Sequence, residues 1–516
     1  MDMFIIEPLR YGSSIQYRIS KAFIDSEYYR RKYKLLSLCS IKASTIYPNS
    51  FRRNTIANRI RLSYSNKPKE LLTILNLNIA TAGRITNIRS FGKLSFLTLQ
   101  DTGGYIQLYI SCDTCSTYKE QANLLELGDI VGACGKLFKT KAGELSICCY
   151  DIRLLTKPVR PLPNKYHGLI NKELCYRQRY LDLVYNERAR YIFKARTHII
   201  SELRSYMLSN SYIEVETPMM HLIPGGALAR PFITHHNTLN IDMYLRVAPE
   251  LYMKRLVVGG FEKIFEINRS FRNEGLSAYH NPEFTMMELY MAYANYIVLM
   301  ELVEDLFKYI TKSILGRNTI NYGNIVLAIS KAFIKIPMLE SICSFCSSIT
   351  YADLTDIKLT KDIASSLDIK LEKEWGLGKV QTHIFKRVVE SMLKQTTFII
   401  NYPSEVSPLA RRLDRNPFLS ERFEVFINGK EVGNGFSELN DSSEQSLAFI
   451  NQLKEKEPND RLGLYEADYI KSLEYGLPPT AGLGIGIDRL VMVLANASNI
   501  RDVILFPTMR TLKAIQ

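Results

Sequence analysis

The stretch FRNEGLSAYHNPEFTMMELYMAY, Phe271 to Tyr293, sets an arginine, three glutamates and a histidine within otherwise apolar runs. Side chains on a strand alternate between its two faces, so groups spaced in this way are committed to one side or the other. Read as two strands joined by the loop GLSAYHNP, the first puts Glu266, Asn268, Ser270, Arg272 and Glu274 on one face. The second does the same for Phe284, Met286, Glu288 and Tyr290. Charges on half-buried strands are costly unless something compensates them. A solvated surface hairpin does not account for the apolar density of FTMMELYMAY. The pair therefore predicts a sheet that presents an arginine, carboxylates, an aromatic plate and a phenol to a ligand.

A second stretch, ERFEVFINGKEVGNGFSELN (421–440), turns at Asn428-Gly429, a strong two-residue hairpin signal. Counting outward pairs Ile427 with Lys430, Phe426 with Glu431 and Glu424 with Gly433. Glu424 and Glu431 become diagonal neighbours on one face, where like charges repel unless a cation lies between them. Oxygen ligands of that kind suit Mg2+. Asn434, Phe436 and Glu438 would fall on the opposite face of a regular ladder, and a bulge at Gly433-Asn434-Gly435 would turn them back.

A third stretch, PPTAGLGIGIDRLVMVLAN (478–496), lacks the G-x-G-x-x-G spacing and the βαβ context of a dinucleotide loop. It reads as a strand whose glycines admit close packing, then Asp488 as helix N-cap and Arg489 on the first turn. A fixed arginine there is a cation for phosphate or a lid for a flat ring. Arginines with a paired-carboxylate Mg2+ site are the equipment of phosphoryl or nucleotidyl transfer, in which positioning and charge stabilisation dominate. There is no GxxxxGK[ST] phosphate loop in the chain, so the nucleotide is held by another route.

With 516 residues the chain exceeds one hydrophobic core. No apolar run reaches the length of a membrane span, and MDMFIIEPLR shows none of the parts of a secretory signal. The expected location is cytoplasmic, with the nine cysteines as reduced thiols rather than disulfides or zinc ligands. The net charge of +14 is uneven: residues 1–70 form a basic N-terminal extension and helix, which suggests a polyanionic partner such as nucleic acid. For residues 1–25 a solvated tail serves as well. From 71 to 157 five short alternating runs with glycine turns fit a small barrel of the OB type. A proline-rich linker (158–174) precedes an α+β domain over 175–516, with an insertion at about 325–395.

These motifs carry a resemblance. SNSYIEVETPMM with Pro218, FRNE with Arg272 and Glu274, and GLGIGIDR with Arg489 resemble the three signature motifs of class II aminoacyl-tRNA synthetases. The finer text, including YLRVAPELYMKRLVVGGFEKIFEINRSFRNEG, HNPEFTMMELYMAY and EVGNGFSELND, is similar to the bacterial-type lysyl-tRNA synthetases from about Asn76 to Arg510. The resemblance implies an α+β fold with an N-terminal OB-fold β-barrel and a class II synthetase antiparallel-sheet catalytic domain.

The resemblance further implies ATP-dependent ligation of L-lysine to tRNA(Lys) through a lysyl-adenylate, with Mg2+ as cofactor, by a homodimer that has no membrane partner. Arg272 and Glu274 would hold the ATP α-phosphate and the adenine edge, with His280 and Asn281 near the nucleotide. Phe284 and Arg489 would sandwich the adenine, Arg489 reaching the γ-phosphate, and Glu424 and Glu431 would bind Mg2+. Gly226 and Glu250 would take the lysine α-ammonium, Asn434 and Arg272 its carboxylate. Phe436 would cover the stem, and Glu438, Glu288 and Tyr290 would receive the ε-ammonium, since a desolvated ammonium needs a carboxylate partner. The aspartate-type relatives need a cation at that end, and no Arg or Lys stands out there in the sequence. In the barrel, Phe96 would stack on an anticodon base while Arg84, Gln107 and Glu144 read base edges; Phe96 as a core aromatic is the competing reading.

Two other functions stay open at this point. One is a synthetase-like paralogue that joins a lysine analogue to a protein, against which the barrel with Phe96 and Gln107 argues. The other is a non-catalytic RNA-binding protein on the same fold, which predicts loss of Arg272, Arg489, Glu424 or Glu431; all four are present.

Overall fold

The computed structural model describes residues 9–11, 14–16, 27–41, 47–116, 118, 124–162, 171–226, 229–455 and 465–511. Most of residues 1–25 and residues 163–170 of the expected linker lie outside the described residues. The chain divides into two compact units, Met1–Gly168 and Leu169–Gln516. Among the described residues no helix is long and apolar enough to cross a membrane.

The first unit carries helices α1 (Glu27–Ile41), α2 (Ala57–Tyr64) and α3 (Lys69–Leu75) and strands β1 (Asn78–Phe91), β2 (Leu94–Asp101), β3 (Gly104–Ser111), β4 (Ile130–Lys139) and β5 (Leu145–Thr156). The strands close into a barrel in the order β1-β2-β3-β5-β4, as the five alternating runs predict. Alternation fills it: Leu97 and Leu99 of β2 and Ile106 and Leu108 of β3 are buried. The intervening Phe96, Thr98, Gln107 and Tyr109 are half-exposed on the outer side. Close strand approach needs glycine here, because a Cβ at Gly135 would run into the Cys148 carbonyl oxygen. On α1, Lys34 Nζ donates to Glu126 Oε1 at 3.0 Å. Burial raises the Glu126 pKa, but Lys34 and Lys157 outweigh it and hold the carboxyl down at about 2.

In the second unit a long amphipathic helix α4 (Glu187–Ser209) leads to a short strand β6 (Ile213–Glu214). Then come α5 (Glu250–Val258), β7 (Lys263–Phe271), β8 (Glu283–Ala292), α6 (Tyr296–Leu315) and β9 (Ile334–Pro337). Helices α7 (Met338–Phe345), α8 (Tyr351–Thr355), α9 (Ile357–Ser366) and α10 (Leu377–Val388) precede β10 (Thr397–Ile400), β11 (Arg422–Phe426) and β12 (Glu431–Ser437). After these come α11 (Ala467–Glu474), β13 (Thr480–Gly486), α12 (Ile487–Leu494) and a last short helix, α13 (Ile500–Val503). Eight strands form one sheet in the order β9-β10-β11-β12-β13-β8-β7-β6. It differs from the expected antiparallel sheet at both edges, where β7 pairs with β6 and β9 with β10 in parallel. The sheet is therefore mixed; an edge partner's direction depends on long-range connections that no local pattern encodes.

One face of this sheet is a dry layer. Ile199 and Leu203 of α4, Leu299, Val303 and Phe307 of α6, and Leu490 and Val491 of α12 pack against Phe265, Met287, Leu289, Leu483 and Ile485. The odd-numbered residues of β8 point into that layer, which leaves the even-numbered ones for the other face. That face holds the site.

Candidate active site

A cavity of ≈ 540 Å³ opens on the second face, lined from β8 by Phe284, Met286, Glu288 and Tyr290. Its floor is β13: Gly482 pairs with Tyr290, Gly484 with Glu288 and Gly486 with Met286. Space there exists because these positions lack side chains. A Cβ on Gly482 would strike Glu438 Oε1 and come within 2.6 Å of the Tyr290 ring, and one on Gly484 would lie 3.0 Å from Met286 Cε.

β7 runs antiparallel to β8 with Glu266 opposite Glu288 and Ser270 opposite Phe284. The strand stops at Phe271, so Arg272 and Glu274 sit just beyond it rather than in the ladder as the sequence suggests. Both still line the cavity, with His280 and Asn281 from the connecting loop. The Arg272 guanidinium carbon lies 5.1 Å from the Phe284 ring centroid, and Arg272 Nε is buried with no hydrogen-bond partner among the described residues. Glu266 is already compensated: Arg246 Nη1 donates to Oε1 at 2.7 Å and Thr217 Oγ1 to Oε2 at 2.6 Å. Asn281 Nδ2 donates to the Glu283 carbonyl at 2.6 Å. His280 Nδ1 lies 2.9 Å from Ser277 Oγ, and burial with the nearby Arg489 cation lowers its pKa.

The Asn428-Gly429 hairpin forms, with Ile427 and Lys430 exchanging backbone hydrogen bonds of 2.9 and 3.2 Å and Phe426 opposite Glu431. The ladder then slips. Val425 pairs with Gly433 and Glu424 with Asn434, not with Gly433 as a regular count gives, so Val432 is the extra residue. The expected bulge is present, one position earlier than the Gly433-Asn434-Gly435 triplet. Its effect is to bring Glu424, Glu431, Asn434 and Phe436 all to the cavity.

Glu424 accepts from Tyr402 Oη at 2.8 Å and from Arg422 Nη2 at 2.5 Å. Its pKa is nevertheless raised, by burial first and by the like charge of Glu431 second. Arg489 Nη1 donates to the Glu431 backbone oxygen at 2.7 Å and lies 3.3 Å from its Oε2. Arg489 falls on the first turn of α12 as predicted. Asp488 does not cap that helix: Gly486 is the N-cap and lends no side chain. Strand β13 passes into α12 without a break, so Asp488 is carried inside the first turn. There it accepts from Arg196 Nη1 at 2.5 Å and Thr285 N at 2.8 Å.

At the far end Gly226, with a left-handed φ of 87°, lies against Glu250, the first residue of α5. Tyr290 Oη donates to Glu288 Oε2 at 3.3 Å. Glu438 is not on the cavity wall itself; it lies behind Gly482, buried, in ion-pair contact with Lys254. A cation at this end is the feature the sequence reading missed. The E-x-x-x-K spacing of Glu250 and Lys254 was its signal, but such a pair normally marks a solvated helix face. Arg422, which bridges Glu424 and Asn434 Oδ1 (3.0 Å), was missed too, although it sits two residues before Glu424 on the same strand face.

In the barrel, Phe96 is on the outer side, not in the core, edge-to-face with Tyr109 at 5.5 Å. Arg84 Nη1 donates to the Gly128 carbonyl at 2.9 Å, Gln107 Oε1 accepts from Ser146 Oγ at 3.3 Å, and Glu144 is exposed, 3.9 Å from Arg61.

Residues 171–510 match the family described as tRNA synthetases class II (D, K and N), and residues 79–155 the OB-fold nucleic acid binding domain. Lysine--tRNA ligase of Yersinia pestis (strain Pestoides F) is 55% identical over 493 residues, covering 95% of this chain and 97% of that protein. Lysine--tRNA ligase of Yersinia pseudotuberculosis serotype O:1b (strain IP 31758) matches equally. A cavity lined by the FRNE and GLGIGIDR regions, an OB-fold barrel earlier in the chain and similarity of this degree over 95% of it lead to one conclusion: the chain belongs to the lysine–tRNA ligase family of class II tRNA synthetases.

Proposed function

We propose that the chain joins L-lysine to tRNA(Lys) in two steps, each using this cavity. In the first, the lysine carboxylate attacks the α-phosphorus of ATP and pyrophosphate leaves; in the second, a ribose hydroxyl of tRNA takes the lysyl group and AMP leaves. The nucleophile is already ionised, so no protein base is required. The observation that carries the choice of amino acid is Glu438. Its carboxylate is buried behind Gly482; Oε2 is in ion-pair contact with Lys254, while Oε1, against Gly482 and Tyr290, has no hydrogen-bond partner among the described residues. A buried carboxylate in that state is a receptor for an ammonium group.

Glu438, Glu288 and Tyr290 then take the ε-ammonium, Phe436 covers the stem, Glu250 and Gly226 take the α-ammonium, and Asn434 with Arg272 the carboxylate. Arg272, Glu274, His280, Asn281, Phe284 and Arg489 hold ATP. The donor set fits Mg2+: two carboxylates share the cavity and the charge of Glu431 makes Glu424 harder to ionise, while the described residues hold no group of three or more acidic, His or Cys side chains for a metal. Mg2+ is commonly held by one or two carboxylates, its other ligands being water and phosphate oxygens. When bound by Glu424 and Glu431 it would offset charge on the phosphates.

Phe96, Arg84, Gln107 and Glu144 read the anticodon in this proposal. Exposed apolar side chains at Leu208, Ile213, Met219, Met220 and Leu222 support pairing of two copies through the end of α4 and β6. The site of action is the cytoplasm. The test is ATP–pyrophosphate exchange with each of the twenty amino acids, followed by charging of tRNA(Lys). Exchange with lysine alone, and lysyl-tRNA as product, is expected. Exchange driven by a different amino acid overturns the substrate, and activation without charging favours ligation to a protein.

A further inference from the structure

The closed end of the cavity holds a lysine of the chain itself. Lys254, one turn beyond Glu250 on α5, has no exposed surface; its Nζ is 2.6 Å from Glu250 Oε1 and in ion-pair contact with Glu438 Oε2. The rings of Phe436 and Tyr469 flank it at 5.5 and 5.9 Å. A buried carboxylate with no cation beside it takes up a proton and loses its hold on an ammonium. Burial pushes the Glu438 carboxyl well above the usual carboxylate range, and the Lys254 ammonium is the largest influence that opposes it. Burial alone would strip the proton from Lys254, but Glu250 and Glu438 outweigh it and its net shift is upward, so it remains a cation. Lys254 occupies Oε2, which leaves Oε1 on the side of Gly482 and Tyr290, where the cavity is.

We propose that Lys254 is a positioning residue for the substrate's side-chain ammonium: it holds one oxygen of Glu438 in an ion pair and aims the other at the cavity. The proposal rests on the reading that Glu438 receives that ammonium. A lysine pocket thus needs an internal lysine, because a single carboxylate buried alone would be neutral before the substrate arrived. A loss that acts through Glu438 falls on substrates with a side-chain ammonium, whereas one that acts through Glu250, which Lys254 also holds, falls on all amino acids alike.

The test is pyrophosphate exchange by Lys254→Met, with lysine and with norleucine as amino acid, and with KM for ATP as control. Lysine kcat/KM is expected to fall, through KM, at least about tenfold further than norleucine kcat/KM, with KM for ATP within about twofold of the parent. Equal losses for lysine and norleucine would make Lys254 a packing residue and overturn the proposal; unchanged lysine KM would overturn it too. If Lys254→Met does not fold, the double variant Lys254→Met/Glu438→Gln removes both members of the pair and is compared with Glu438→Gln. The same lysine-to-norleucine ratio in both supports action through Glu438, and a further tenfold drop in the double variant overturns it. Glu438→Gln also separates the two layers of argument. Unchanged lysine KM in that variant sinks the Glu438 reading, whereas a raised KM there with a silent Lys254→Met sinks only the role of Lys254.

Discussion

Glu288 shows how much one buried side chain can tie binding to protons. Burial first, then the charges of Glu250 and Glu266, push its carboxyl up to about 8, against the pull of Arg272 and the Tyr290 hydrogen bond. An ammonium beside it favours the carboxylate. Below about pH 8 lysine must therefore displace a proton from Glu288, and above it need not. KM for lysine is expected to fall as pH rises from about 6.5 to 8, by up to about tenfold per unit, and then level off. Glu288→Gln should raise KM and flatten the profile; a parent KM independent of pH over this window would refute the linkage. The other carboxylate pair predicts a different split. Glu431→Gln should raise KM for Mg2+–ATP about tenfold or more with lysine KM within about twofold, read in the same exchange assay. At this scale the sequence was informative about faces: Phe284, Met286, Glu288 and Tyr290 share one because alternation is geometric. It was not informative about partners. Nothing in a linear pattern says that Glu266 is claimed by Arg246, or that Asp488 binds Arg196 292 residues away instead of capping its own helix.

Among the elements, β13 does most to shape the cavity. Its alternate residues Ala481, Leu483 and Ile485 are buried in the dry layer, and its glycines form the floor. Gly482→Ala should drive a methyl group into Glu438 and Tyr290. Overpacking of this kind costs about 1–3 kcal/mol, which is roughly a 5- to 150-fold loss in lysine kcat/KM. Leu203→Ala on α4 is the contrasting change, a cavity in the dry layer that costs about 2–5 kcal/mol of stability. It should lower the urea midpoint of unfolding and leave lysine KM unaltered. A normal lysine KM in Gly482→Ala, or an altered one in Leu203→Ala, would contradict this division. The long helices α4 and α6, the barrel strands and both hairpins were legible because each obeys a local period or turn rule, whereas α7 to α10 fall in what the sequence showed only as an insertion. The parallel edge pairs were not, since they join segments such as Ile334–Pro337 and Thr397–Ile400 across four intervening helices.

For the whole molecule, the two units predict separable losses. Activation of lysine involves no RNA, so Phe96→Ala should leave pyrophosphate exchange intact. Charging of tRNA should weaken by about 1–3 kcal/mol, the range for one stacked base. Added salt should depress charging much more than activation, because Lys/Arg contacts to phosphate weaken as counterions accumulate. Exchange and charging measured on one preparation decide the matter. A parallel fall in both would mean that Phe96 supports the barrel rather than RNA.

The extra residue at Val432 gives this strand a parity. Glu431 faces the cavity from an odd position; Asn434 and Phe436 reach it from even ones, and the bulge is the point where the count changes over. Everything downstream is out of phase with the hairpin turn by one. A single-codon deletion at 432 would remove the extra residue and leave the rest of the strand in its present register. Loss of 432 and 433 together would turn it over. Gly435, whose missing Cβ accommodates Phe423, and Ser437, which accepts from Tyr296 N at 3.0 Å, would then swing towards the substrate. An amide and a phenyl ring would be pressed into hydrocarbon. At the bulge the molecule should tolerate the loss of one residue better than the loss of two, a rule that a deletion scan from 427 to 440 can read directly.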